Sequence, residues 1–177
     1  MKYAARTSKL THLLPSAAGM VLVIFGMAGG TARAEVTLQV TSVQGGAALE
    51  VDFGTARSLE PEGEPVTGPL VRQTRLSVSS TSGRPYRVFQ RVNGPWTGPG
   101  EIEIPLSAVR FSISETQTGG TNRFPAPASL SLGEQEIFLS DATGSAENLV
   151  ITYVMQLPPG QRAGSYRTTV SYQVVAQ

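Results

Sequence analysis

The chain has 177 residues and a formal net charge of +1, but its charges are unevenly placed. Lys2, Arg6, Lys9, Arg33 and the single histidine, His12, lie in the first 34 residues; the other 143 hold ten arginines against thirteen carboxylates, a net of −3, with no lysine, histidine or cysteine. That inventory excludes a phosphate-neutralising nucleic-acid surface, the usual metal, haem and iron–sulfur ligand sets, and every thiol, Ser–His or Ser–Lys nucleophile, so no cofactor is expected.

Residues 1–12 are basic and polar, and residues 13–32 carry no charge around an apolar core from Ala17 to Ala28. Ala32-Arg33-Ala34 follows, a small-x-small cleavage pattern. This is the layout of a secretory signal peptide cut before Glu35, with one domain over 35–177. The uncharged run is also long enough for an uncleaved anchor; Gly19, Gly26, Gly29 and Gly30 dilute it and the cleavage pattern favours removal. No paired arginines and no lipidated cysteine are present. The expected location is secreted, periplasmic or cell-surface, with no membrane span after cleavage.

Beyond the leader, the hydrophobic period is 2. Val36, Leu38 and Val40 alternate with Thr37, Gln39 and Thr41, and Leu49, Val51 and Phe53 with Glu50 and Asp52. Ile102, Ile104 and Leu106 alternate with Glu101 and Glu103, and Val109, Phe111 and Ile113 with Arg110 and Ser112. Leu149, Ile151, Tyr153, Met155 and Leu157 form one face; so do Tyr166, Thr168, Val170, Tyr172 and Val174, opposite Arg167, Thr169, Ser171 and Gln173. Such alternation marks strands with one buried face. Gly- and Pro-bearing turns separate the runs, and no amphipathic helix is evident. The expected fold is all-β, an antiparallel immunoglobulin-like sandwich of roughly eight to ten strands.

Ala163-Gly164-Ser165-Tyr166 resembles the tyrosine corner that opens strand F of immunoglobulin-like domains, with Gly164 and Tyr166 in structural roles. If 166–175 is strand F, the chain ends before a strand G, leaving an edge for a strand from another chain. Val36, Leu38 and Val40 are then the candidate donated face. In the alternative, 166–175 and 36–43 are the last and first strands of a complete sandwich.

Three further features each have a functional and a plain reading. Trp96, within Asn93-Gly94-Pro95-Trp96-Thr97-Gly98-Pro99-Gly100, either stacks on a sugar or partner at a loop tip or folds back over the end of the sandwich. Arg72, Arg75, Arg84, Arg87 and Arg91 cluster in sequence; Arg87 and Arg91, with Phe89, belong to an outward face that binds a polyanion or glycan, matches charge between subunits, or is merely solvated. The Glu60/Glu62/Glu64 loop either binds calcium or is an ordinary exposed loop. Glu101 and Glu103 share a strand face and form a carboxylate pair for glycoside hydrolysis only if a cleft accompanies them, which nothing in the sequence marks.

The run Leu49-Glu50-Val51-Asp52-Phe53-Gly54 is similar to the Leu-x-Phe-Gly opening of spore-coat-U-type subunits of archaic chaperone–usher pili. The ending from Ala163 to Tyr172 resembles their Ala-Gly-Thr-Tyr last strand; WxL cell-wall domains are a looser likeness. Those pilins commonly carry a disulfide, absent here, and Trp96-Thr97-Gly98 is not Trp-x-Leu. The resemblance implies a secreted immunoglobulin-like fimbrial or adhesion subunit, with self-assembly or other surface subunits and a periplasmic chaperone as partners. A non-catalytic structural or adhesive surface protein is the leading expectation. A monomeric glycan- or protein-binding module using the Trp96 loop is the alternative.

Overall fold

The computed structural model describes residues 20–25, 35–44, 50–56, 69–114, 119–158 and 164–177. The cleavage motif at 32–34, Leu49, the Glu60/Glu62/Glu64 loop and Ala163 lie outside the described residues. The strands are β1 (Met20–Phe25), β2 (Glu35–Ser42), β3 (Glu50–Ala56), β4 (Leu70–Ser80), β5 (Tyr86–Val92), β6 (Trp96–Thr97) and β7 (Glu103–Ile104). They continue with β8 (Val109–Ser114), β9 (Thr121–Asn122), β10 (Ala128–Ser129), β11 (Gly133–Leu139), β12 (Glu147–Met155) and β13 (Gly164–Ala176). From Glu35 onward, eight strands among the described residues have six or more residues. Among the described residues the only helical turns are short 3₁₀ segments at Pro99–Glu101 and Leu106–Ala108. No helix of the described residues is long and apolar enough to cross a membrane.

The strands form two antiparallel sheets stacked as a sandwich. The first runs β1, β2, β4, β12, β8, β10; the second runs β7, β6, β13, β5, β11, β9, with β3 also on β13. The expected apolar faces hold in β12, whose Leu149, Ile151, Tyr153 and Met155 are buried against the second sheet, and in β13, where Tyr166, Val170, Tyr172 and Val174 answer them. Two strands depart from strict alternation. In β12, Val150 is buried along with its neighbours Leu149 and Ile151. The β11 register shifts between Glu136 and Phe138, and consecutive Ile137 and Phe138 are both buried. An extra residue in one strand turns two neighbours toward the core and bends the strand around it.

The expected strand through Ile102, Ile104 and Leu106 is reduced to the two residues of β7, flanked by the two 3₁₀ turns. Pro99 and Pro105 fix φ and offer no N–H, so the segment cannot sustain a ladder. Ile104 still reaches the core, while Glu101 and Glu103 face solvent.

A chain of buried polar groups crosses the core. Thr74 on β4 hydrogen-bonds the Tyr172 hydroxyl on β13, which lies 2.8 Å from the Tyr153 hydroxyl on β12; Tyr153 in turn donates to Oε1 of Gln90 on β5 at 3.0 Å. Because Tyr153 has one proton and gives it to Gln90, Tyr172 must donate to Tyr153, and Thr74 to Tyr172. The relay passes from sheet to sheet at every step. Burial is the main reason both phenols resist ionisation: Tyr172 is pushed up to about 12, and Tyr153, which also faces Tyr172, well above the ordinary 10.0. Both stay neutral hydrogen-bonding groups through the physiological range.

At one end of the sandwich the turn after β11 is organised by Asp141. Its Oδ1 accepts the backbone N–H of Thr143 (3.1 Å) and of Ser145 (2.9 Å), and Oδ2 accepts the Ser145 hydroxyl at 2.6 Å. These bonds, the Ser145 hydroxyl first, lower the carboxyl from 3.8 to about 2.

Two outcomes follow from these arrangements. Tyr153→Phe strands the Gln90 carbonyl and the Tyr172 hydroxyl in a dry core, and urea denaturation should show a loss of about 1–3 kcal/mol with an unchanged m-value. Asp141 binds its proton less readily folded than unfolded, so its stabilisation is full above pH 3.8 and lost as pH falls through about 2. Asp141→Ala should therefore be less stable than the parent near neutrality, with the difference closing in acid denaturation below pH 3.8.

Candidate functional site

The two sides of the sandwich are built differently. On one side the segment after β8 ties both sheets: β9 pairs with β11 and β10 with β8. Asn122 Nδ2 donates to the Ile113 carbonyl (2.8 Å), the Ile113 N–H to the Phe124 carbonyl (2.8 Å), and the Arg123 N–H to the Ile137 carbonyl (3.1 Å). Phe124 packs on Phe111 with ring centroids 4.7 Å apart. On the other side the outer strands come from the N-terminal region, β1 followed by β2 in the first sheet and β3 in the second.

The candidate donated face, Val36, Leu38 and Val40, is buried in this chain's own core, with Val36 opposite Ser80, Leu38 opposite Val78 and Val40 opposite Leu76 of β4. The last strand is flanked by its own chain. β5 pairs with Val170–Ala176, and β3 pairs with β13 between Gly164 and Thr169 through a bulge after Ser165. Arg167 pairs with Asp52 of β3 on one edge and Thr97 of β6 on the other, so β5 and β6 lie end to end along the second edge. Ser165 Oγ donates to Asp52 Oδ1 at 2.6 Å, which fixes β3 at this position.

Gly164 and Tyr166 lie where β13 meets the loop around Trp96. Gly164 has φ +151°, and a Cβ there would meet Pro99 Cγ at 2.0 Å. The Tyr166 ring is buried against Gly98, where an added Cβ would sit 2.2 Å from Cε1. Thr168, two residues on, points inward and donates from Oγ1 to the Gly94 carbonyl at 2.9 Å. The residue spacing therefore marks a packed corner between strand and loop.

Trp96 is not at an exposed tip. It is 0 % exposed and tilts against Phe53 of β3, centroids 5.8 Å apart. The glycines and prolines around it bend the backbone so that the ring turns inward, and a sugar has no path to its face. Its Nε1–H has no acceptor among the described residues.

Arg87, Phe89 and Arg91 do share the outer face of β5, while Tyr86, Val88, Gln90 and Val92 point inward. Glu136 bridges Arg87 (3.1 Å) and Arg123 (2.6 Å), and Arg91 is in register with Glu134 and Ser171. Half-exposed pairs of this kind contribute about 0–1 kcal/mol. A shallow groove of about 320 Å³ is lined there by Phe89, Arg91, Glu134, Ser171 and Gln173, among others. The five-arginine sequence cluster does not form one patch. Arg75 lies on the outer face of the first sheet, and Arg72 reaches across to donate from Nε to the Asp52 carbonyl of β3.

Sequence reading missed the inward Gln90, although it shares the inward parity of Tyr86, Val88 and Val92. Among the described residues no group of three or more potential ligands is placed to hold a metal ion.

Fold and surface together define an antiparallel β-sandwich closed on one side by a proline-bearing segment and on the other by N-terminal strands. Comparison of the chain with family models, curated proteins and solved structures finds no match.

Trp96 is the only tryptophan, so its burial can be read directly. Its emission should be blue-shifted and insensitive to acrylamide in the native state, and Trp96→Ala should cost about 3–5 kcal/mol by urea denaturation.

Proposed function

We propose that this is an exported, non-catalytic structural or adhesive surface protein, a pilin-like immunoglobulin-type subunit that assembles by exchanging or pairing strands. Its partners are further copies or related surface subunits, with a periplasmic chaperone guarding the strands before assembly. The observation that carries this reading is the position of β2 and β3. The outer strands on one side of both sheets come from the N-terminal region, and β3 rather than a following strand lies beside the last strand, β13. Strands at that position can be contributed by the same chain or by a neighbour with identical side-chain contacts, the condition for strand exchange. In an exchanged assembly Val36, Leu38 and Val40 enter the neighbour's core at the place they occupy here in their own.

The precursor should be expressed with its leader in a bacterial host and the exported product studied by size-exclusion chromatography with light scattering and by electron microscopy. Ladders or fibres are expected, and a synthetic peptide spanning residues 35–43, in excess, should shorten them. A product that stays monomeric at all concentrations counts against assembly. If that monomer also binds glycan and loses it on Phe89→Ala, the binding-module reading replaces it, with the Arg87–Phe89–Arg91 face as its site.

A further inference from the structure

The sheet edges of the described residues are not equally guarded. On the closed side, the backbone from Thr121 to Ser129 runs along the rims of β11 and β8, and Pro125 and Pro127 in it have no N–H to offer an incoming strand. The rim of β3 is met by Arg72, whose guanidinium donates to the Asp52 carbonyl. The rim of β2 is covered by β1 alone, in antiparallel register from Met20 opposite Val40 to Phe25 opposite Glu35. β1 lies inside the expected leader. Cleavage before Glu35 removes it and turns β2 into an open edge strand with the apolar core directly behind.

β2 carries none of the devices that keep an open edge from pairing. It has no proline, no lysine or arginine and no bulge, and its single charge, Glu35, sits at the first residue. The occupant it has in this structure is a short apolar strand running antiparallel.

We propose that the β2 edge pairs with the β2 edge of a second copy, antiparallel about a two-fold axis through Leu38. This rests on the exported, assembling reading above and specifies its partner and geometry. The strand is suited to pairing with itself because its pattern is symmetric about Leu38. Val36 falls opposite Val40 and Leu38 opposite Leu38 on the core face, and Thr37 falls opposite Gln39 on the outer face. No like charges meet, since Glu35 falls opposite Thr41. The first sheets of the two copies become one continuous sheet, an isologous contact that is closed by symmetry. Edge pairing leaves β2 in its own sheet, and strand exchange does not, so the two modes of assembly are separable.

The chain has no cysteine, which makes cross-linking unambiguous. The exported product of a Thr37→Cys, Gln39→Cys double variant should form a disulfide-linked dimer on mild oxidation, because antiparallel pairing sets each introduced thiol opposite one from the second copy. In an exchanged assembly these positions face β4 of the neighbour and do not meet. In the parent background, Thr37→Lys with Gln39→Lys should weaken self-association roughly tenfold or more, with unchanged circular dichroism, because it places like charges opposite one another on a solvent-facing surface. Self-association that persists in the lysine variant, with no cross-link in the cysteine variant, overturns edge pairing and leaves assembly by exchange standing. A parent protein that is monomeric throughout overturns both. A product whose N-terminus still contains Met20–Phe25 overturns edge pairing as well, because the rim remains covered.

Discussion

A chain with no cysteine must hold two sheets together with side chains alone, and here the polar part of that task falls to one relay. Thr74, Tyr172, Tyr153 and Gln90 alternate between the sheets, so each hydrogen bond spans the core. Apolar contacts supply most of the driving force, but they are non-directional and tolerate sliding of one sheet over the other. A relay of hydroxyls with fixed donor order does not. Moving either sheet by one residue would leave at least two buried polar atoms without partners, each at a cost of about 1–3 kcal/mol. The relay thus selects one stacking among many that would bury similar area.

The order of the strands along the chain explains why the two sides of the sandwich differ. The segment from Thr121 to Ser129 follows β8 of the first sheet directly and precedes β11 of the second, so it crosses between them at their shared rim. The opposite side is assembled from β1 and β2 of the first sheet and β3 of the second, with β3 far in sequence from β13 and fastened to it by Ser165–Asp52 and to β4 by Arg72. Contacts of large sequence separation form after loop closure, whose entropy must be met first. A strand supplied by another copy has the same contacts to make at this side. The closed side has no place for one.

The parts of the structure legible in the sequence are those governed by period 2. Leu149 to Met155 and Tyr166 to Val174 declare their buried faces because every second residue is large and apolar, and a one-residue slip would expose all of them. The same pattern separated outward Arg87, Phe89 and Arg91 from inward Val88 and Val92. It failed where buried positions carry hydrogen-bonding groups instead of apolar ones. Gln90 and Thr74 are polar in the sequence and buried in the fold, and only the parity of their neighbours gives them away. It also failed where prolines interrupt, so that Ile102 to Leu106 reads as a strand and folds as two turns around a two-residue bridge. Trp96 is a third kind of case. Glycine and proline around an aromatic residue signal a turn, but not which way the turn faces; here the ring turns inward against Phe53 of the distant β3, beside buried Ile104, its register partner on β7.

The lysine-free composition beyond residue 34 bears on the edges as much as on catalysis. Lysine is the ordinary guard of an open strand, long enough to cover the rim and charged enough to repel a second one. Here the guarding is done by other means: prolines at 125 and 127, the bulge in β11, and the Arg72 guanidinium on β3. Each is placed by a specific contact and protects only its own rim. β2 has neither the general guard nor a local one, and its alternating valines and leucine already face a filled core. An edge of that kind is compatible with a soluble protein only while something covers it. In this structure the cover is β1, from the segment the sequence reading expects to be a leader.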